Sequence, residues 1–237
     1  MPSDQLSTRS VATRSCLLAL GWIGITAALF GIGQFVAHSD AITDFDRHVT
    51  NWMIDHRTSA LDTTMKVFTW IGSWVAVAVT GGVVLVLTLT KRLTIAAVII
   101  FAVAWAGEYA TVNLVKHAVG RPRPPKDLWL VPAHGASFPS GHAANATVVF
   151  AAATVVAYLY TRRRSVRATT VTLACLAVGA VGFSRVELGV HWTTDVVAGS
   201  LVTMAWLAAI AGLIATTAPI AAPGCRVNTA GLEHFAV

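Results

Sequence analysis

The chain has 237 residues, 55% of them hydrophobic and 12% charged, and its mean hydropathy of +0.67 is too high for an ordinary soluble domain. Its formal net charge of +6 would suit a polyanion partner, but four arginines, Arg162, Arg163, Arg164 and Arg167, sit in "RRRSVR" between two apolar runs, where cytoplasmic loops of membrane proteins collect positive charge. Composition therefore argues against a nucleic-acid-binding domain and for an integral membrane protein whose partners are the bilayer and its lipids.

Six runs have the length or the freedom from charge of a membrane-spanning helix: 17–37, 67–90, 93–115, 143–161, 168–183 and 196 to about 215. The expected fold is an all-α bundle of six spans. Arg9 and Arg14 precede the first run, which is longer than the roughly 7–15 residues of a signal-peptide core, so it reads as an uncleaved helix. The fifth run is short for a span unless "SRVELGV" continues it. The expected division is a cytoplasmic tail over 1–16, the membrane domain over 17–222 and a short cytoplasmic tail over 223–237.

Arg9 and Arg14, then Lys91 and Arg92, then "RRRSVR" occupy alternate connections. The bias of Lys and Arg toward the cytoplasm puts these three inside, together with both termini. Segments 39–66, 116–142 and 184–195 then face outward. In the first of them Ile42, Phe45, Val49, Trp52 and Met53 recur at helical spacing, with Asp44, Asp46, Arg47 and Asp55 turned elsewhere. This predicts either a helix on the outer membrane surface with Trp52 at headgroup depth, or a helix packed over the bundle.

Cys16 and Cys175 fall at or in apolar runs and Cys225 in the C-terminal tail; their spacing and odd number imply neither a metal site nor a disulfide framework. Glu108 lies within the third run, about two turns below Lys116. An ionisable group there is costly and often functional, but pairing within the bundle is the reading favoured for it.

Two outward segments hold nearly all the reactive side chains. In "KHAVGRPRPP", Lys116 and Arg123 are separated by six residues, and Pro124 and Pro125 stop the helix and stiffen its exit. In "SFPSGHAANA", Ser140 is a good N-cap for the fourth span, and the N–H groups of Gly141 and His142 at that helix start make an anion site. In "SRVELGVHWTTD", His191 and Asp195 are four apart, which on a helix puts them on one face. The carboxylate can then take Nδ1–H and leave Nε2 basic, as a nucleophile requires, while Arg185 offers a planar fork to phosphate oxygens.

Singly, each residue has an ordinary explanation: lysines and arginines snorkel at membrane surfaces, Ser140 caps, His191 is a surface histidine, and Asp195 is a first-turn acid. Together, "K-x6-RP", "PSGH" and "SR-x5-H-x3-D" occur in order on one side of the membrane. The set resembles the type 2 phosphatidic acid phosphatase superfamily, whose members include membrane lipid phosphatases and soluble vanadium haloperoxidases. The motifs cover Lys116 to Asp195, and the six-span layout extends the likeness to most of the chain.

By that resemblance, His191 is the nucleophile that takes the phosphoryl group, Asp195 orients it, and His142 is the general acid for the leaving oxygen. Lys116, Arg123 and Arg185 hold phosphoryl oxygens, with Ser140 and the Gly141 N–H. Members of this kind need no metal or other cofactor, and the outward segments show no carboxylate cluster suited to Mg²⁺. Physically, fixed cations and a helix terminus can neutralise the spread charge of phosphoryl transfer. His191 must start neutral and His142 protonated, which predicts a bell-shaped pH profile.

The expected function is a membrane phosphatase acting on a lipid phosphate or diphosphate at the outer leaflet, first of all an undecaprenyl or decaprenyl diphosphate. Phosphatidylglycerophosphate, phosphatidic acid and a phosphorylated prenyl sugar are alternative substrates. A lipid-linked phosphotransferase and a non-enzymatic protein binding anionic lipid are alternative functions; haloperoxidase chemistry is set aside because this chain belongs in a membrane. Glu187 and Asp127 match no motif position, while His117, Arg121 and Lys126 are expected to shape headgroup preference.

Overall fold

The computed structural model describes residues 2–217, with side chains described over 13–215; the C-terminal tail and Cys225 lie outside the described residues. Eight helices follow one another: α1 (Pro2–His38), α2 (Asp40–Asp55), α3 (Ser59–Ile71), α4 (Trp74–Leu89), α5 (Ile95–Val119), α6 (Gly141–Tyr160), α7 (Arg164–Glu187) and α8 (Thr193–Thr217), with one 3-10 turn at Lys126–Leu128. No strand occurs among the described residues. In hydrocarbon every backbone N–H and C=O must find its partner inside the segment, which favours helices for runs this apolar. The hydroxyls of Thr80, Thr88, Thr147, Thr154 and Thr203 are satisfied in the same way, each donating to the carbonyl four residues back.

Five helices are long and apolar enough to cross a membrane: α1 over Thr13–His38, α5, α6, α7, and α8 over Thr193–Ala215. α3 and α4 pass the same test together, bent by 45°, and supply the sixth span. The protein is thus a multi-pass membrane bundle. Leu20, Ile32, Val79, Leu89, Leu173 and Leu176 are all exposed, as expected of side chains that face lipid.

Run 67–90, expected as one straight span, is broken at residues 72 and 73, and its first part begins at Ser59. The break is a close approach. A Cβ on Gly72 would come within 2.6 Å of both the His142 carbonyl oxygen and Val181 Cγ1, so the α3–α4 joint rests on the start of α6 only because residue 72 is glycine. Asn145 Nδ2 donates to the Gly72 carbonyl over 3.2 Å and latches the joint. α3 then packs along α7, and α4 turns toward α5 and α6. Elsewhere the boundaries move outward: α7 continues through "SRVE" to Glu187, and α1 includes residues read as a tail.

α2 forms where the sequence places a helix, with Ile42 and Val49 half-buried and Asp44, Arg47 and Asp55 exposed; the departure is Asp46. The buried residues of α2 are Asp46, Thr50 and Met53, whereas Phe45 and Trp52 are more than half exposed. α2 packs against α1, α7 and α8, and what draws Asp46 inside is an ion pair described below.

α6 is central, touching α4, α5, α7 and α8. α8 comes so near that a Cβ on Gly199 would overlap the Ser140 carbonyl. Trp22 and Trp206 lodge their indole N–H groups on the α5 carbonyls of Gly107 and Ala104, at 3.0 and 3.2 Å, satisfying in an apolar bundle the one polar atom each carries. At one end Tyr160 Oη donates to the Arg92 carbonyl over 3.0 Å, which brings the two basic connections together. The motif residues gather at the other end.

Candidate active site

Helix ends build the site. α5 delivers Lys116 in its last turn, α6 begins just after Ser140, α7 carries Arg185 in its last turn, and the turn into α8 carries His191. These four come from residues distant in sequence and meet because α6 and α8 pack against each other and each packs against both α5 and α7.

His191 is buried and lies before α8 rather than on it, a correction to the expectation that it shares a helical face with Asp195. The carboxylate instead reaches back from the first turn of α8. Asp195 Oδ2 accepts from Trp192 N at 3.0 Å, from His191 Nδ1 at 3.3 Å and from Ser137 Oγ, so the acid both caps the helix and holds the imidazole. On the other ring nitrogen, Arg123 Nη1 stands 3.0 Å from Nε2. A guanidinium can only donate, so Nε2 carries the lone pair and Nδ1 the proton.

Burial first, then the charges of Arg123, Lys116, Arg185 and His142, hold the His191 imidazole well below its ordinary pKa. It is neutral at physiological pH. Arg123 is itself pushed down from its usual value by burial, with Asp195 opposing.

The three expected phosphate-holding cations differ in what they have to offer. Arg123 spends all five N–H groups on the protein: Nε on Gly135 O, Nη1 on Val190 O and His191 Nε2, Nη2 on His134 O and Ala136 O. Lys116 Nζ donates to Ala136 O at 2.7 Å and Ser137 O at 3.2 Å, which leaves one proton of three. Arg185 Nη1 donates to Thr69 Oγ1 at 2.6 Å, and its buried Nε has no protein partner.

Ser140 occupies the N-cap position of α6 but makes no side-chain cap bond; its hydroxyl is buried and without a partner. Its N–H instead donates to the Asp195 carbonyl at 2.9 Å, tying this loop to α8. Gly141 opens α6 beside it. Buried donors with no protein acceptor, at a helix N-terminus among three cations, suit an oxyanion.

Arg121 is a correction. It was expected to meet a substrate headgroup, but it is buried, with Nη1 on Asp195 Oδ1 at 2.7 Å and Nη2 on Asp46 Oδ2 at 2.8 Å. His117 and Lys126 are exposed, His117 Nδ1 bonding to the Asn113 carbonyl. Glu187 is buried with Oε1 unpartnered, while Arg57 binds its backbone carbonyl. Glu108 is buried and Oε2 has no partner; among the described residues it forms no ion pair, contrary to the pairing read for it.

Sequence reasoning missed Thr69 and Ser137, which bind Arg185 and Asp195, and Asp46, which reaches Asp195 through Arg121. Only Ser137, three residues before Ser140, stood near a signal. No group of three or more His, Cys, Asp or Glu side chains able to hold a metal occurs among the described residues.

Comparison with known proteins gives a consistent picture of the fold. A profile of the PAP2 superfamily matches residues 97–217, a range that contains every motif position. The chain is similar to the crystal structure of a transmembrane PAP2-type phosphatidylglycerolphosphate phosphatase from Bacillus subtilis, at 22% identity and TM-score 0.66, over 86% of this chain and 96% of that one. It is also similar to LpxE from Aquifex aeolicus, at 23% identity and TM-score 0.53, over 69% of this chain and 93% of that one. No curated protein sequence matches it.

Proposed function

The chain belongs to the PAP2 superfamily, and on that premise we propose that it is a membrane lipid phosphatase working through a phosphohistidine on His191. The observation that carries this reading is the two-sided grip on one imidazole: Asp195 on Nδ1, and Arg123 facing the lone pair of Nε2.

Nε2 attacks phosphorus while the bond to the lipid oxygen breaks, and His142 gives that oxygen its proton. Water then attacks phosphorus, the P–N bond breaks, and His142 takes the water proton, restoring both histidines. Lys116, Arg123 and Arg185 neutralise the phosphoryl oxygens, with the Ser140 hydroxyl and the Gly141 N–H completing the cradle. Since Arg123 enters with its donors already engaged, an arriving phosphate exchanges places with acceptors such as Nε2, which frees the nucleophile as it binds. These cations take the part of metal ions, and hydrolysis is proposed to be metal-independent.

The substrate proposed first is a polyprenyl diphosphate such as undecaprenyl or decaprenyl diphosphate. The distribution of Lys and Arg supports cytoplasmic termini and a site on the outer face, where a spent polyprenyl carrier would be dephosphorylated. Phosphatidylglycerophosphate is the second substrate, favoured by the activity named for the Bacillus subtilis relative.

The deciding experiment is phosphate release by purified protein from both lipids, phosphatidic acid and a phosphorylated prenyl sugar, with EDTA present or absent. Release from at least one, lost in His191→Ala and inhibited by vanadate, is expected. Equal release by His191→Ala would overturn the reading, and a requirement for metal would overturn its metal-independent form.

A further inference from the structure

Behind the imidazole a buried network reaches α2, a helix that carries no motif residue. Asp46 is 0% exposed although it belongs to the short amphipathic α2. Its carboxylate accepts from Arg121 Nη2 at 2.8 Å, from Thr194 N at 3.0 Å and from Thr194 Oγ1 at 2.5 Å. Arg121 Nη1 donates in turn to Asp195 Oδ1 at 2.7 Å and to Thr194 Oγ1 at 2.9 Å. One guanidinium is thus shared between two buried carboxylates, each taking one arm.

This arrangement has a chemical consequence at His191. A guanidinium bound to Asp195 alone would cancel its charge and weaken it as acceptor for Nδ1–H. The second carboxylate offsets that cation, so two aspartates and one arginine present a net negative charge to the imidazole. That charge matches the positive charge the ring gains when Nε2 bonds to phosphorus. Asp46 also takes the N–H of Thr194, one of the donors a helix start leaves free, and so fixes the first turn of α8 from which Asp195 projects.

We infer that Asp46 is a positioning residue for the nucleophile, acting through Arg121 and Asp195 and making α2 a structural part of the active site. The inference rests on the proposal that His191 attacks phosphorus. The charged and titratable groups acting on His191 are Asp195, Arg123, Lys116, Arg185 and His142; Asp46 stands behind Asp195 and alters the balance among them.

The test compares wild type, Asp46→Asn, Asp46→Glu and His191→Ala, each as full-length protein in detergent, by the pH dependence of hydrolysis of a lipid phosphate. Asp46→Asn is expected to lower kcat by about tenfold or more with KM within about twofold, since Arg121 then cancels the Asp195 charge that matches the positive charge the ring gains. The acid limb of kcat/KM is expected to move to lower pH, because losing a negative charge makes protonation of His191 harder. Asp46→Glu is expected to restore the limb toward its wild-type position. A variant that is merely less folded loses amplitude equally at every pH with the limb unmoved, and that result overturns the inference, as does an unchanged kcat. Activity that survives in His191→Ala overturns the reading of His191 itself, a separate outcome.

Discussion

Arg185 Nη1 donates to Thr69 Oγ1 over 2.6 Å, so the guanidinium at the end of α7 is aimed by a hydroxyl from α3. Thr69 is buried and lies one turn before the α3–α4 joint. The bend in the second span therefore places a hydrogen-bond acceptor against the arginine with the most donors to offer a phosphate.

Replacing Thr69 by Val keeps the shape and removes the acceptor. A hydrogen bond to a charged group contributes about 1.5–3 kcal/mol, so kcat/KM should fall roughly 10- to 100-fold with membrane insertion intact. Thr69→Ser should retain most activity. Steady-state kinetics on the two variants check this, and equal losses in both would show that the hydroxyl does not matter.

The pH profile follows from the state of His191. Burial and the nearby cations depress its pKa well below the ordinary 6.5. The neutral, nucleophilic form therefore persists as pH falls, and activity is lost only when pH passes down through that depressed value. The acid limb of the activity profile should be displaced below the usual histidine range. A kcat/KM profile with an acid midpoint near 6.5 would contradict this placement of the imidazole.

The residues proposed to react were legible because spacing encodes them. Lys116 and Arg123, Ser140 to His142, and Arg185 to Asp195 each form a short local pattern at the end of an apolar run, and helix ends are where bundles expose polar groups. Their supports were not. Asp46, Thr69 and Arg121 are ordinary residue types whose roles depend on which helix lies next to which, and a hydropathy pattern does not state neighbours. The burial of Asp46 went unseen for the same reason: it depends on an ion pair with Arg121, and nothing local to α2 signals that partner. The break at Gly72 went unseen because a glycine within an apolar run is common, and only contact with α6 makes this one necessary.

That contact can be tested by volume. A Cβ at residue 72 would press on the His142 carbonyl and Val181, and overpacking of this kind costs about 1–3 kcal/mol. Gly72→Ala should lower the thermal unfolding midpoint in detergent and reduce kcat, because the displaced group belongs to the residue proposed as general acid. Gly82→Ala is the matched control, with nothing within 4 Å of its added Cβ, and should change neither.

Arg123 provides a test of geometry against charge. Its five N–H groups hold the carbonyls of His134, Gly135, Ala136 and Val190 as well as His191 Nε2, so it organises the loop leading to Ser140 while facing the proposed nucleophile. Lysine preserves the positive charge but offers three donors from a single point, and no ammonium position can serve acceptors spread along that loop and across to Val190. If Arg123 acted only as a charge, Arg123→Lys would keep most of the rate. The planar fork predicts instead a fall in kcat/KM of about 100-fold or more, the sum of two charge-assisted hydrogen bonds at roughly 1.5–3 kcal/mol each. Measuring Arg123→Lys beside Arg123→Ala separates the two: nearly equal losses are expected, because the lysine recovers the charge without the clamp.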